Sequence, residues 1–182
     1  MQWQTSRLII DTLQADDAAA LFAYRSDPQV ARYQGWQPAA LEQAVAFIAA
    51  QAQLRPPTPD SWMQRAIRLR ESGELIGDLG LHFPADLDAA VEFGISLTPA
   101  HQRCGYAFEA VQAVLDWVFT TLGRHRVCAS VDPRNQPSIA LLRALGMRQE
   151  AHFRESLKFR GEWVDDMVFG LLAREWPVGQ HG

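Results

Sequence analysis

The stretch Gln102-Arg103-Cys104-Gly105-Tyr106-Ala107 decides how the rest of the sequence is interpreted. It follows a strand predicted over Ala90–Leu97 and leads into apolar residues at helical spacing, namely Val111, Val114, Leu115, Val118 and Leu122. A loop of Gly and small residues that turns directly into a helix leaves several backbone N–H groups unpaired and pointing in one direction. The helix adds roughly half a positive charge at that end. The stretch therefore predicts a binding place for an anionic group such as a pyrophosphate.

This loop differs from the two best-known phosphate-binding motifs. No Gly-Lys-Ser or Gly-Lys-Thr follows Gly105, and the three-glycine spacing of a dinucleotide fingerprint is missing. Gly105 lets the backbone approach a phosphate closely, and Arg103 adds a guanidinium that can bind one. Taken alone, the pattern remains compatible with an ordinary turn before a helix.

The surrounding chain predicts a strand, a helix, a strand and a helix between Ala90 and Leu145. A strand–helix–strand crossover in one sheet is right-handed almost without exception. The other predicted elements are an edge strand at Ser6–Asp11, a helix over Asp17–Arg25 with Asp16 as N-cap, a helix whose apolar face is marked by Leu41, Val45 and Ile48, and strands around Ile67–Leu69, Leu75–Phe83, Gln149–Phe159 and Glu162–Leu172. The pattern predicts an α/β fold with a mixed sheet, helices on both faces, and one domain over residues 1–182.

Composition narrows the class of protein. A hydrophobic fraction of 48% and a charged fraction of 21% in 182 residues are typical of a globular chain. The net charge of −4 argues against a nucleic-acid partner and suits a cationic substrate. No apolar run approaches the roughly 20 residues that cross a bilayer, so no membrane partner is expected. Two cysteines and histidines without metal spacing predict a reduced, cytoplasmic protein that binds no metal.

Motifs on both sides of the loop resemble the GNAT superfamily of N-acyltransferases. Gln102-x-x-Gly105-x-Ala107 is similar to the acetyl-CoA signature of that family, and Asn135-x-x-Ser138 with Leu145-Gly146-Met147 is similar to its second cofactor motif. Three further motifs resemble one branch of the superfamily, the ribosomal-protein N-terminal acetyltransferases of the RimJ/RimL type. They are Ser6-Arg7-Leu8, Gly35-Trp36 and Gly161-Glu162-Trp163-Val164-Asp165. The resemblance implies a mixed, mostly antiparallel sheet of about seven strands whose central strands splay apart. It also implies an enzyme and is compatible with a homodimer.

The resemblance implies acetyl-CoA as co-substrate, without a metal, and an amine as the partner that accepts the acetyl group. The pantetheine arm is expected beside the backbone of Ile95, Ser96 and Leu97. The pyrophosphate is expected at Gln102, Arg103, Cys104, Gly105, Tyr106 and Ala107. Asn135 and Ser138 are expected near the thioester.

Three residues are candidates for the chemistry of transfer. Glu92 is the first candidate for a general base, and Glu155 is the alternative. Many members of the superfamily place a Tyr acid where this chain has Leu142, but a thiolate is a tolerable leaving group because a thiol pKa is only about 8.5. Ser138 could donate a hydrogen bond instead. Glu92 is also compatible with an ordinary solvated strand end, and Ser138 with a small residue that fits beside the arm.

An acceptor pocket is expected from residues in loops and late strands. Aromatic candidates for its wall are Tyr33, Trp36, Phe83 and Trp163, each of which is also compatible with ordinary packing. Asp165 or Asp166 would receive a cationic group, and Asp165 is favoured because it matches the Gly-x-Trp-x-Asp pattern of the branch. The sequence leaves open whether the acceptor is a protein N-terminus or a small molecule. It also leaves open an acyl-CoA-binding regulatory module with little catalysis, and an unrelated nucleotide-binding domain. An acyl-enzyme on Cys104 is disfavoured because the motif uses the backbone there.

Overall fold

A computed structural model describes residues 2–55, 57–86 and 90–177 and has one eight-stranded sheet. The strands lie in the order β1-β2-β3-β4-β5-β6-β8-β7. Their bounds are β1 Trp3–Gln4, β2 Leu8–Asp11, β3 Ser61–Leu69, β4 Leu75–Phe83, β5 Val91–Leu97, β6 Arg126–Val131, β7 Arg148–Phe159 and β8 Glu162–Leu172. All neighbouring pairs are antiparallel except β5 and β6. The predicted mixed α/β fold is confirmed, with one strand more than the seven expected.

Among the described residues, five α-helices connect these strands. They are α1 Ala18–Ser26, α2 Pro28–Ala31, α3 Leu41–Gln53, α4 Tyr106–Thr120 and α5 Gln136–Ala144. The predicted strand–helix–strand–helix unit is β5-α4-β6-α5, and its two strands are the parallel pair. In the described ranges, no helix is both long and apolar enough to cross a membrane.

The core consists of two clusters on opposite faces of the sheet. Successive residues of β3 supply them, because Ala66 belongs to one cluster and Ile67 to the other. Helices α4 and α5 pack into the cluster that contains Ile67, and α1 and α3 pack into the cluster that contains Ala66. The helices therefore cover both faces, as predicted.

The N-terminal region differs from the sequence prediction in two ways. The strand β2 was expected at the edge of the sheet, but β1 pairs outside it through Trp3–Ile10. The N-cap was expected at Asp16, but a 3-10 turn precedes α1 and the carboxylate of Asp17 accepts from the Gln14 N–H at 2.6 Å. Asp17 also pairs with Arg68 of β3, which fixes this turn on the sheet.

The buried face of α3 also differs from the prediction. Leu41 and Val45 are 42% and 51% exposed, and the buried residues are Ala44, Ile48 and Gln51. The side chain of Gln51 explains this orientation, because it donates to the carbonyl of residue 62 at 3.1 Å and accepts from the N–H of residue 64 at 2.7 Å. Gln51 thereby hydrogen-bonds backbone groups of β3 that lie beyond the residues paired with β2. Buried backbone N–H and C=O groups need hydrogen-bond partners. The helix therefore turns Gln51 toward β3, although this orientation leaves Leu41 and Val45 exposed.

A buried ionic network joins α1 to the sheet. Asp78 of β4 is fully buried and accepts hydrogen bonds from Tyr24, from Arg25 and from Gln64. Arg25 is 6% exposed, so its guanidinium depends on Asp78 for neutralisation. Burial works against the charged form of Arg25, but the Asp78 carboxylate outweighs it and raises the pKa of Arg25.

Replacing Asp78 with Ala is expected to destabilise the fold strongly, because it leaves the Arg25 charge buried without its partner. Removal of one member of a buried ion pair costs about 3–5 kcal/mol. Urea denaturation followed by circular dichroism measures the change. The control, Asp16→Ala, alters an exposed carboxylate and is expected to change stability by about 0.5 kcal/mol or less. A loss below about 1 kcal/mol for Asp78→Ala would contradict the role of this network.

Candidate active site

A cavity opens where β5 and β6 separate. The two strands pair at Val91–Val127 and at Glu92–Cys128, and their pairing stops there although each strand continues for several residues. The cavity has a volume of about 400 Å³. The β7–β8 hairpin, α5 and the segment after α2 complete its wall. Its lining includes Tyr33, Trp62, Glu92, Ser130, Asp132, Asn135, Ser138, Asp165 and Asp166.

Glu92 lies at the closed end of this gap, as the last residue of β5 that pairs with β6. Its side chain lines the cavity and is half-buried. Burial raises the pKa of Glu92 above the ordinary glutamate value. His82 and the Ser130 backbone N–H act against this shift, and the Asp166 carboxylate adds to it. A carboxylate with a raised pKa is a stronger base, so Glu92 is suited to accept a proton inside the cavity.

Glu92 belongs to a row of side chains that crosses four strands. The register pairs Trp62 with His82, His82 with Glu92, and Glu92 with Cys128. The His82 ring stacks on Trp62 with 5.2 Å between ring centroids. Burial, with a contribution from Glu92, raises the pKa of Cys128 to about 11. The thiol of Cys128 is therefore neutral at physiological pH and is a poor nucleophile.

The other cavity carboxylates have different partners. Asp132 forms an ion pair with Arg134 at 2.6 Å. Asp165 contacts Nε2 of His152 at 2.7 Å and accepts from the backbone N–H of Glu155 at 2.9 Å. Asp166 accepts from the Ser130 hydroxyl at 2.5 Å. The lining of the cavity contains no Lys, Arg or His in the part of the chain that the structure describes, so its charged side chains are all acidic.

Helix α5 presents its N-terminus to the same cavity. The Asn135 side chain caps the helix by accepting from the Ser138 N–H at 3.3 Å, and Pro137 occupies the first turn. Both Asn135 and Ser138 line the cavity. Leu142 stands where many members of the superfamily have a Tyr. It is also part of the lining, but its side chain has no group that can donate a proton.

The predicted anion-binding loop precedes α4. Gly105 is the N-cap and has φ +81°, a left-handed conformation that favours glycine. Arg103 also has a positive φ, at +61°. The Glu109 N–H donates to the Gly105 carbonyl at 3.1 Å, and the N–H groups of the preceding turn have no acceptor within the helix. The structure therefore shows the backbone arrangement that the sequence predicted.

Arg7 holds this loop against the N-terminal part of the sheet. Its guanidinium donates to the Cys104 carbonyl at 3.0 Å and pairs with Glu109 at 2.6 Å. It also lies over the Tyr106 ring, 4.5 Å from the centroid. The loop conformation thus depends on a residue almost a hundred positions away in the chain.

The structure brings several predicted site residues together. Tyr33, Glu92, Ile95, Asn135, Ser138 and Asp165 all line the cavity. The Ser96 side chain is buried, and the Leu97 carbonyl accepts from the Gln102 side chain at 3.1 Å. Gln102 therefore ties the loop to the end of β5. The Cys104 side chain is exposed on the loop surface.

Four of the residues predicted for catalysis or for the acceptor pocket lie outside the cavity lining, as do the residues of the loop before α4. Phe83 is fully buried in the core, which corrects its assignment to an acceptor pocket. Trp36 stacks on Phe47 with centroids 4.4 Å apart, and Trp163 is 61% exposed. Glu155 is exposed at φ +45°, in the irregular part of β7 between Phe153 and Leu157. Its backbone supports Asp165, but its side chain is not part of the cavity lining.

The sequence did not indicate three residues that matter to the geometry. Trp62 and Ser130 enter the cavity from two different strands, and Arg7 holds the loop. Asp166, the alternative to Asp165 for receiving a cationic group, also lines the cavity. Their convergence depends on strand register across the sheet, which a single sequence does not specify. The Ser-Arg-Leu motif was the one available signal for Arg7, although it did not indicate a contact with the loop.

Comparison with known proteins places this geometry in a family. The acetyltransferase (GNAT) domain matches residues 7–148. The uncharacterized N-acetyltransferase p20 of Bacillus licheniformis is 34% identical over 174 residues, covering 94% of this chain and 96% of that protein. The crystal structure of a GNAT-family acetyltransferase from Bacillus anthracis superposes with a TM-score of 0.86 at 26% identity. That superposition covers 96% of this chain and all of the other.

A relative with a named acceptor matches part of the chain. The ribosomal protein uS5-alanine N-acetyltransferase of Escherichia coli is 31% identical over 91 residues. The match covers 50% of this chain and 47% of that enzyme. The likeness to the ribosomal-protein branch that the sequence motifs indicated is therefore confirmed.

Proposed function

We propose that this chain, which belongs to the GNAT acetyltransferase family and is an N-acetyltransferase, moves the acetyl group of acetyl-CoA to a primary amine by direct attack in a ternary complex. The observation that carries the proposal is the cavity between β5 and β6, with Glu92 at its closed end. Because one sheet extends from Trp3 to Leu172, we further propose that residues 1–182 act as a single acetyltransferase domain.

Acetyl-CoA is expected to run along β5. Its pyrophosphate would meet the N–H groups of the loop before α4, where the helix dipole favours an anion. Its pantetheine arm would take the backbone groups of Ile95, Ser96 and Leu97 that β6 leaves unpaired. Leu97 and Glu92 are about 17 Å apart along an extended strand, so the arm would bring the thioester toward Glu92. Asn135 and Ser138 would then flank the thioester.

Transfer requires a neutral amine, because an ammonium has no lone pair with which to attack. Glu92 would accept the proton from the bound ammonium, directly or through water. The amine nitrogen would then form a bond to the acetyl carbon, the C–S bond would break, and the CoA sulfur would leave as a thiolate. The product nitrogen would lose its second proton to that thiolate, which gives a neutral amide and the free thiol of CoA. Ser138 would stabilise the leaving group by a hydrogen bond. Backbone N–H groups of β5 would stabilise the oxyanion.

Two kinds of acceptor fit the proposed reaction, namely the primary amine of a protein N-terminus and that of a small molecule. The acidic cavity favours an acceptor that arrives as a cation. The Escherichia coli relative is named for N-acetylation of an alanine of ribosomal protein uS5, which makes peptides the first acceptors to test.

Replacing Glu92 with Gln is expected to lower kcat for amine acetylation by about 10²- to 10⁴-fold, the usual contribution of a general base. Thiol release from acetyl-CoA, measured across N-terminal peptides, polyamines and aminoglycosides, tests this. Wild-type kcat should rise with pH through the raised pKa of Glu92, because only the deprotonated carboxylate accepts a proton. The variant should lose that rise.

Glu155→Gln is the matched control, since Glu155 is the rival base and lies outside the cavity. It is expected to retain kcat within about twofold, given that surface changes rarely act at a distance. A large loss in Glu155→Gln with normal rates in Glu92→Gln would reverse the assignment. Absence of amine-dependent thiol release with every acceptor would contradict the proposed activity.

Replacing Arg7 with Ala is expected to weaken CoA binding about 5- to 30-fold, because the loop loses its contacts through Cys104 and Glu109. Isothermal titration calorimetry with CoA measures the affinity. Arg148→Ala removes an equal charge from a surface ion pair on β7 and is expected to bind CoA as wild type. Equal affinities for Arg7→Ala and wild type would show that the loop needs no such support.

A further inference from the structure

Ser130 joins two carboxylates at the closed end of the cavity. Its hydroxyl donates to Oδ1 of Asp166 at 2.5 Å, and its backbone N–H faces the Glu92 carboxylate and stabilises the ionised form. Glu92, Ser130 and Asp166 belong to β5, β6 and β8, so the arrangement crosses the splayed strands. All three residues line the cavity.

The two carboxylates differ from the other acids of the cavity. Asp132 is neutralised by Arg134, and Asp165 contacts His152 and the backbone of β7. Neither Glu92 nor Asp166 forms an ion pair within the described residues. The negative charge of Asp166 raises the pKa of Glu92, since protonation of Glu92 relieves the repulsion between the two carboxylates.

We propose that Asp166 is a positioning residue for Glu92. The hydrogen bond from Ser130 holds the Asp166 carboxylate in place, and Asp166 thereby keeps a second negative charge beside the general base. The inference rests on the proposed function, in which Glu92 removes a proton from the acceptor ammonium. That proton moves from the nitrogen to the Glu92 carboxylate, so one positive and one negative charge disappear together. The charge of Asp166 favours this step because it disfavours an ionised Glu92.

The groups that face Glu92 from neighbouring strands are few. His82 on β4 acts against the effect of Asp166, because its positive charge, when protonated, favours ionised Glu92. Cys128 on β6 is neutral at physiological pH. Burial and the Asp166 carboxylate both raise the pKa of Glu92. A substitution can remove the charge of Asp166 alone, whereas a change in the burial of Glu92 would require removal of core side chains.

Asp166→Asn isolates the charge. An amide oxygen can still accept from the Ser130 hydroxyl, so the hydrogen bond is retained while the negative charge is lost. Glu162→Gln is the matched control, because it removes one negative charge from the same strand about 13 Å away. The readout is a ¹³C NMR titration of the glutamate side-chain carboxyls, with Glu92→Gln identifying the Glu92 signal.

The expected result is a Glu92 titration displaced to lower pH in Asp166→Asn and unchanged in Glu162→Gln. In the acetylation assay, the acid limb of kcat should move to lower pH in parallel. A Glu92 titration in Asp166→Asn that coincides with wild type would overturn the inference. If the titration moves but no amine is acetylated, the coupling stands and the proposed function falls, so the two failures are distinguishable.

Discussion

The separation of β5 from β6 after Glu92 is the constraint on which the rest of the site depends. Two parallel strands that stay paired bury all their backbone groups against each other and leave no space between them. Here the pairing stops after two residues of β5, and the strands diverge around a cavity of about 400 Å³. The divergence supplies both unpaired backbone groups and room for a substrate, which an ordinary sheet would not offer.

The two ends of this gap have opposite electrostatic character. The loop before α4 offers backbone N–H groups and the positive end of a helix dipole, whereas the closed end offers carboxylates. Under the proposed function, an anionic pyrophosphate would be attracted to the loop and a cationic amine to the carboxylates. Arg7 and Gln102 fix the loop end, and Ser130 organises the carboxylate end.

Local patterns in the sequence predicted much of this structure. The loop at Gln102–Ala107 and the strand Glu162–Leu172 were predicted correctly, because a glycine before an amphipathic helix and a β-hairpin are specified by nearby residues. The predicted face of α3 was wrong, because it depends on the Gln51 amide and on β3 backbone groups that are distant in the sequence.

The carboxylate end of the cavity was predicted only in part for the same reason. Glu92 and Asp166 were both candidates from the sequence, but their convergence with His82 and Ser130 depends on strand register. Phe83 was misassigned because an aromatic residue at a strand end looks the same in sequence whether it packs in the core or lines a pocket. Such residues are identified from the folded sheet rather than from spacing.

The most direct test of the account is a crystal structure of the protein with CoA. We expect the pyrophosphate to contact the loop before α4, the pantetheine arm to lie along β5, and the sulfur to lie within one water molecule of the Glu92 carboxylate. A CoA molecule bound outside the gap between β5 and β6, or a sulfur remote from Glu92, would contradict it.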